Sequence, residues 1–227
     1  TPSSQEFGRT IEKAIRFLMA SQNDDGTFKG EALFPAIEHG FACRALCVSY
    51  ALTRIPALSN HCGRAANAII RAQRPSGLWS IDYLSDAADI EASVWQVAAL
   101  KSAVLAGNPE VRPALEAAME ALAAAIEPSG PEKMPAPAIY SLQVLGRGKD
   151  ERVRSGLKAL DGLGMDWKSP GYGNPVYQWH FITQAAFHAG GDVWTAWNRS
   201  FAPALVTNQT VEAAADGKSS GVWVSPG

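Results

Sequence analysis

Two stretches of the chain, SQNDDGTF (21–28) and AQRPSGLW (72–79), end on the same three landmarks. Each has a glutamine, a glycine four residues later, and an aromatic ring two residues after that. Setting Gln22 on Gln73 also aligns what precedes them: Ala14 with Ala65, Ile15 with Ala66, Leu18 with Ile69 and Met19 with Ile70. Apolar residues recur at 11, 14, 15, 18 and 19, the spacing of one face of an α-helix. Each unit therefore opens with an amphipathic helix that closes at the glutamine. The glycine then turns the chain through dihedrals that other residues avoid. A third copy stands near the C-terminus, where Ala202, Leu205, Val206 and Gln209 repeat the stripe. Gly221 and Trp223 follow it after a longer polar insert.

Two more helices of the same charged kind, 110–126 and 150–164, lack the glutamine. Between the charged helices lie four others, at about 37–54, 89–107, 136–146 and 174–191. These carry few charges and are apolar nearly all round, as expected of helices buried on several sides. Their landmarks Leu46, Leu100, Leu145 and Phe187 stand 54, 45 and 42 residues apart. Two helices per unit at that period belong to helical repeat architectures. No alternating strand pattern is seen. The expected fold is all-α: one domain over 1–227, with outer helix, loop and inner helix repeated four times and a last outer helix.

Composition narrows the function classes. The 227 residues are 47 % hydrophobic and 19 % charged, ordinary for a globular chain that can bury a large core. A net charge of −2 gives no basic surface for nucleic acid. No apolar run approaches the ~20 residues that cross a bilayer. The cysteines Cys43, Cys47 and Cys62 are too few, and odd in number, for a disulfide framework. The opening TPSSQEFGRT is no signal peptide, yet it equally suits a mature terminus left by processing. A cytoplasmic and an exported location both stay open.

The motifs Gln22-x3-Gly26-x-Phe28 and Gln73-x3-Gly77-x-Trp79, with the interrupted Gln209, Gly221 and Trp223, resemble those of the prenyltransferase and squalene-oxidase repeat proteins. That family comprises the terpenoid cyclases and the protein prenyltransferase β subunits, and repeat cyclases call these motifs QW. The segment 175–210 looks like bacterial members that carry the repeat without known chemistry. The resemblance implies an α/α toroid of inner and outer helix rings. It also implies that the glutamine amides stack on the rings and tie neighbouring outer helices together. The chain departs from the family in showing four complete pairs where closed toroids have five to seven. The implied ring is small, open or partial.

The resemblance also locates candidate chemistry near the N-terminal ends of the inner helices, where helix dipoles place positive partial charge. Squalene-type cyclases hold an Asp-x-Asp-Asp acid there. Matching Trp95 and Leu100 to the family's Trp-x4-Leu sets Asp86 and Asp89 on the outer positions and Ala88 on the middle one. Loss of the middle carboxyl removes the acid. Glu91 is a stand-in one turn away, and the plain reading of Asp86 and Asp89 is helix capping. His39, Cys43 and Cys47 share one helix face and are of zinc-binding type. Spread over ~12 Å of rise they cannot converge on one ion, and the prenyltransferase ligand pattern is absent, so no metal or other cofactor is expected. Trp95, Tyr140, Tyr177, Trp179, His180 and Gln184 could line an apolar ligand site or fill the middle of a small ring. Trp194 and Trp197, three residues apart, suit either a partner surface or packing between outer helices.

Three functions fit these residues. The first is a toroid without cyclase acid chemistry that binds an apolar isoprenoid or lipid, or a protein partner. The second is an isoprenoid cyclase or transferase using Asp89 or Glu91. The third is a carbohydrate-active (α/α) barrel, for which Tyr177 and His180 are the sole hint. Trp79→Ala is expected to destabilise strongly and Asp89→Ala hardly at all.

Overall fold

The computed structural model describes residues 5–28, 33–126, 136–160, 164–168, 175–213 and 219–226. Among the described residues the structure is all-α apart from one hairpin, and the contacts gather into two units, 1–124 and 125–227.

The first unit holds α1 (Gly8–Ser21), α2 (Pro35–Thr53), α3 (Pro56–Ala72), α4 (Ile90–Ala106), a 3-10 turn (Pro109–Val111) and α5 (Arg112–Ala124). The helix ends follow local chemistry. Pro35 and Pro56 start α2 and α3, where a missing N–H costs nothing. The Asp89 carboxylate caps α4 by accepting from Ala92 N–H at 2.7 Å. Gly107, at φ +99°, ends α4 in the left-handed region.

The charged helix α3 buries one face and α1 half-buries its apolar stripe. Helix α4 buries residues on most of its circumference, whereas α2, expected to be buried on several sides, buries one side and exposes Phe41, Val48 and Leu52 on the other. These two apolar helices run parallel. Gln96 of α4 donates to Ala36 O at the start of α2, and Arg54 at the end of α2 donates to Ala106 O at the end of α4. Gly40 permits the close approach, since a Cβ there would stand 3.0 Å from that of Trp95. The core centres on this pair, with Leu46, Leu100, Ala65, Ile69 and Trp79 fully buried.

The two Gln-Gly-aromatic turns have the same geometry. In each, the residue after the glutamine donates to the carbonyl before the aromatic: Asn23 to Thr27 O at 2.8 Å, Arg74 to Leu78 O at 2.9 Å. Each glutamine amide bridges its own turn and the next charged helix. Gln22 Nε2 donates to Gly26 O and to His61 O of α3, at 3.3 and 3.0 Å. Gln73 Nε2 donates to Gly77 O and to Ala114 O of α5, both at 2.8 Å. The glycines press on the same helices three residues further along, Gly26 on Arg64 O and Gly77 on Ala117 O. One register therefore joins α1 to α3 and α3 to α5. The carbonyl that each glutamine reaches lies three residues before the one its glycine touches.

The second unit holds α6 (Ala136–Val144), α7 (Glu151–Ala159), α8 (Pro175–Ala189), α9 (Gly191–Thr207) and an antiparallel hairpin, β1 (Thr210–Ala213) with β2 (Ser219–Val222). The expected helix over 150–164 is described as far as Leu160, and residues 161–163 lie outside the described residues, as does Asn174 at the start of the expected inner helix. Within this unit α6 and α8 pack together, with Gln143 donating to Ala185 O at 3.0 Å.

The hairpin differs from the strand-free expectation. Both strands are exposed along their whole length, so they show no apolar alternation from which sequence could find them. The hairpin is the polar insert of the third motif. It brings Gly221 against the Gln209 side chain, and the Trp223 indole donates to Leu205 O at 2.8 Å. Trp79 likewise donates to Ile69 O at 2.7 Å. Both acceptors stand four residues before the glutamine of their motif, so the insert leaves the ring position intact.

A second difference concerns the cysteines. Cys47 and Cys62 form a disulfide between α2 and α3, with Cα atoms 5.0 Å apart, and Cys43 is the free thiol. The bridge removes Cys47 from the His39, Cys43, Cys47 set considered for zinc. It closes a loop of 15 residues, worth about 3 kcal/mol in the chain-entropy account. Urea unfolding of the oxidised chain and of the Cys47→Ala/Cys62→Ala variant should differ by that amount. Equal midpoints would show that the bridge adds nothing.

Candidate functional site

At the N-terminal ends of α2 and α4 the first unit gathers a polar cluster inside an apolar surround. Gln96, wholly buried, donates through Nε2 to Ala36 O at 2.5 Å and accepts at Oε1 from the Tyr83 hydroxyl at 2.9 Å. The Tyr83 ring meets His39 edge-on, with centroids 5.6 Å apart, and Phe28 meets the same imidazole at 5.3 Å. His39 Nε2 donates to Ala65 O of α3 at 3.0 Å. Tyr83 adopts φ +63°, an uncommon conformation for a ring-bearing residue. The loop carrying it is held by Asp82, whose carboxylate accepts from Leu84 N–H, Ser85 N–H and the Ser85 hydroxyl.

Burial favours the uncharged form of both titratable groups in this cluster. Burial lowers the His39 pKa, so the imidazole stays neutral, and burial raises the Tyr83 hydroxyl far above the ordinary phenol range. Both polar ends of the Gln96 amide are engaged. The arrangement ties α2, α3, α4 and the 80–89 loop together. His39 and Gln96, polar residues on helices otherwise rich in apolar side chains, were the sequence signal for it.

The acidic residues near by have separate settings. Asp89 is taken up by its cap on α4, and its backbone N–H donates to Trp79 O at 2.8 Å. That cap replaces the near-neutral expectation for Asp89→Ala with a modest loss. The variant should lose about 1 kcal/mol, read as a lowered midpoint in denaturant. Asp86 is exposed. Glu91 is partly buried, and desolvation, followed by the neighbouring Asp89 charge, raises its carboxyl above the usual range.

Of the aromatic set, Trp95 belongs to the first unit, where its ring lies 4.2 Å from that of Phe41. In the second unit Tyr177 and Tyr140 converge on the buried Phe181, at 4.8 and 5.9 Å. Trp179 turns instead to Trp167, at 5.3 Å. His180 is exposed beside Phe181, and Gln184 is part-buried on α8. Trp194 meets Phe187 edge-on at 5.4 Å, and Trp197 is buried, its indole donating to Thr183 Oγ1.

The first unit also contains a cavity that sequence reading did not find. It has a volume of about 780 Å³ and is lined by Ile15, Met19 and Ala20 of α1 and by Ile55, Ala57 and Leu58 at the start of α3. Glu12 and Arg16 complete the lining and bond each other at 2.8 Å. The sequence signal was present but ambiguous: the stripe that marks α1 as amphipathic also supplies the cavity wall. Among the described residues no group of three or more His, Cys, Asp or Glu could hold a metal ion, and no helix is long and apolar enough to cross a membrane. Comparison with protein-family models, curated proteins and solved structures gives no match to this chain.

Proposed function

We propose that the chain is a helical-hairpin repeat protein of the α/α-toroid kind, akin to the prenyltransferase and squalene-oxidase repeat proteins. Its function in this reading is to bind an apolar chain-like molecule, an isoprenoid or lipid, without acid catalysis. The shared register of the Gln22 and Gln73 ties and the parallel α2–α4 pair support the architecture.

One observation carries the ligand class, namely the cavity between α1 and α3. Its volume is that of a small-molecule site. Its walls are branched and flexible apolar side chains over two alanines, which suit a hydrocarbon body. Its one polar feature is the Glu12–Arg16 pair, which suits a single polar head. Against catalysis stand the engaged Asp89 and Ala88 at the position of the cyclase acid.

The test is binding of farnesol and palmitate to the purified chain, followed by native mass spectrometry and competition with a fluorescent fatty acid. Ile15→Glu and Met19→Glu, both at part-exposed sites, should weaken binding at least about tenfold, since each desolvates a charge beside the ligand. Unchanged affinity in both variants would overturn the assignment.

A protein-partner reading has its own support in a row of exposed apolar residues on α2, Phe41, Val48 and Leu52. Leu52→Asp separates the two readings, because it should leave farnesol binding intact.

A further inference from the structure

We infer that the second unit carries an anion site, fitted to a phosphorylated small molecule, in the pocket where α7 faces the end of α8 and the start of α9. The pocket has a volume of about 650 Å³, and Lys149, Arg154 and Lys158 line it with His188 and a single carboxylate, Asp192. Three fixed cations therefore face one anion, in a chain whose net charge is −2.

Several other cations of the chain are held by a partner. Arg16 pairs with Glu12, Arg64 bonds Gln22 Oε1, Arg74 bonds Tyr83 O and Arg147 pairs with Asp150. Lys149, Arg154 and Lys158 form no ion pair among the described residues. Arg154 and Lys158 stand four apart on α7, so two like charges share one helix face and repel without a carboxylate between them. A bound oxyanion relieves that repulsion.

The backbone adds to the site. The N-terminus of α9 opens on the pocket through Asp192 and Val193, and its cap residue Gly190 has no side chain to satisfy the first N–H groups. Gly190 and Gly191, at φ +68° and +52°, turn the chain so that α9 starts here. Asp150 already caps α7 and accepts from Arg152 N–H, which leaves the α7 side chains as that helix's contribution. A phosphate group meets charge-assisted donors of the kind that bind it most strongly. The remaining volume, with the polar Gln143 and His188 on its wall, leaves room for the body of the molecule. The site lies wholly in the second unit and does not depend on the apolar cavity of the first.

The test is calorimetric titration of the full chain with glucose 6-phosphate, inorganic phosphate and glucose at fixed ionic strength. Glucose 6-phosphate should bind more tightly than inorganic phosphate, and glucose should not bind. Arg154→Gln and Lys158→Gln, at exposed positions where folding is not at stake, should each weaken binding about tenfold. Lys13→Gln, exposed on α1, should change nothing. Added salt should weaken the interaction. Failure of glucose 6-phosphate to bind overturns the proposal. So does equal affinity in the Arg154→Gln/Lys158→Gln double variant, or equal loss in Lys13→Gln.

Discussion

Replacing Trp79 with alanine should lower the unfolding free energy by about 3–5 kcal/mol. The ring is fully buried, so truncation loses its transfer free energy and leaves a cavity in the part of the core where α3 meets α4. Two hydrogen bonds sharpen the effect. The indole N–H donates to Ile69 O at 2.7 Å, and the Trp79 backbone N–H donates to Ser93 Oγ at 3.0 Å. Alanine keeps the second and loses the first, leaving a carbonyl of α3 to find water. Trp79→Phe separates the terms, because it keeps most of the apolar area and removes only the donor. It should cost about 1–2 kcal/mol, the range for an unmade hydrogen bond at a buried acceptor plus a small packing loss. Phe28 holds the equivalent place in the first motif, where no N–H is available, so a ring alone suffices there. Urea unfolding of the three proteins measures the series. A neutral Trp79→Ala would contradict the packing described for α3 and α4.

The second large effect is expected at Gly77. Its φ of +85° lies in the left-handed region, which costs an alanine roughly 1–2 kcal/mol. A Cβ there would also stand 2.6 Å from Ala117 O, which is α5 backbone and cannot swing away. Relief requires the turn and α5 to separate, at a further ~1–3 kcal/mol typical of overpacking. Gly77→Ala should therefore lose roughly 2–5 kcal/mol. Gly146→Ala is the matched control, because Gly146 has φ +86° with nothing within 4 Å of its added Cβ. Only the dihedral penalty applies at that position. Equal losses at the two sites would show that the Gly77–α5 contact is not tight.

The parts of the fold that could be read from sequence are those written in one helix at a time. The stripe ending at Gln22 and Gln73 is local, and so is the apolar girth of α2 and α4, and each became the helix expected. What depends on two elements meeting was harder to see. Cys47 and Cys62 lie on different helices. The face shared by His39, Cys43 and Cys47 drew attention to α2 alone, whereas the bridge depends on how α2 folds back on α3. The β1–β2 hairpin gave no signal because it buries neither face. Tyr83 joins His39 and Gln96 through a left-handed backbone in a loop, and loop dihedrals of non-glycine residues leave little trace in sequence.

The same division holds for the sites. Asp89 was marked as either acid or cap, and the hydrogen bond to Ala92 N–H fills the second role. Of the aromatic set, Tyr140 and Tyr177 come together on Phe181, which periodicity allows because Tyr177 and Phe181 are one turn apart on α8. The apolar cavity and the cationic pocket are both spaces between helices. Their lining residues were visible one by one, as the stripe of α1 and the charges of α7, but the gap that each faces is a property of packing.

Underneath these inferences lies one structural claim, that the Gln22 and Gln73 amides each hold their own turn and the next charged helix in a single grip. Its most direct test is the solution behaviour of the Gln73 side-chain amide in the isotope-labelled protein. With Nε2 donating to both Gly77 O and Ala114 O, its protons should exchange slowly with water and show nuclear Overhauser contacts to the Ala114 and Gly77 backbones. Exchange at the rate of a free glutamine, with neither contact, would contradict the account.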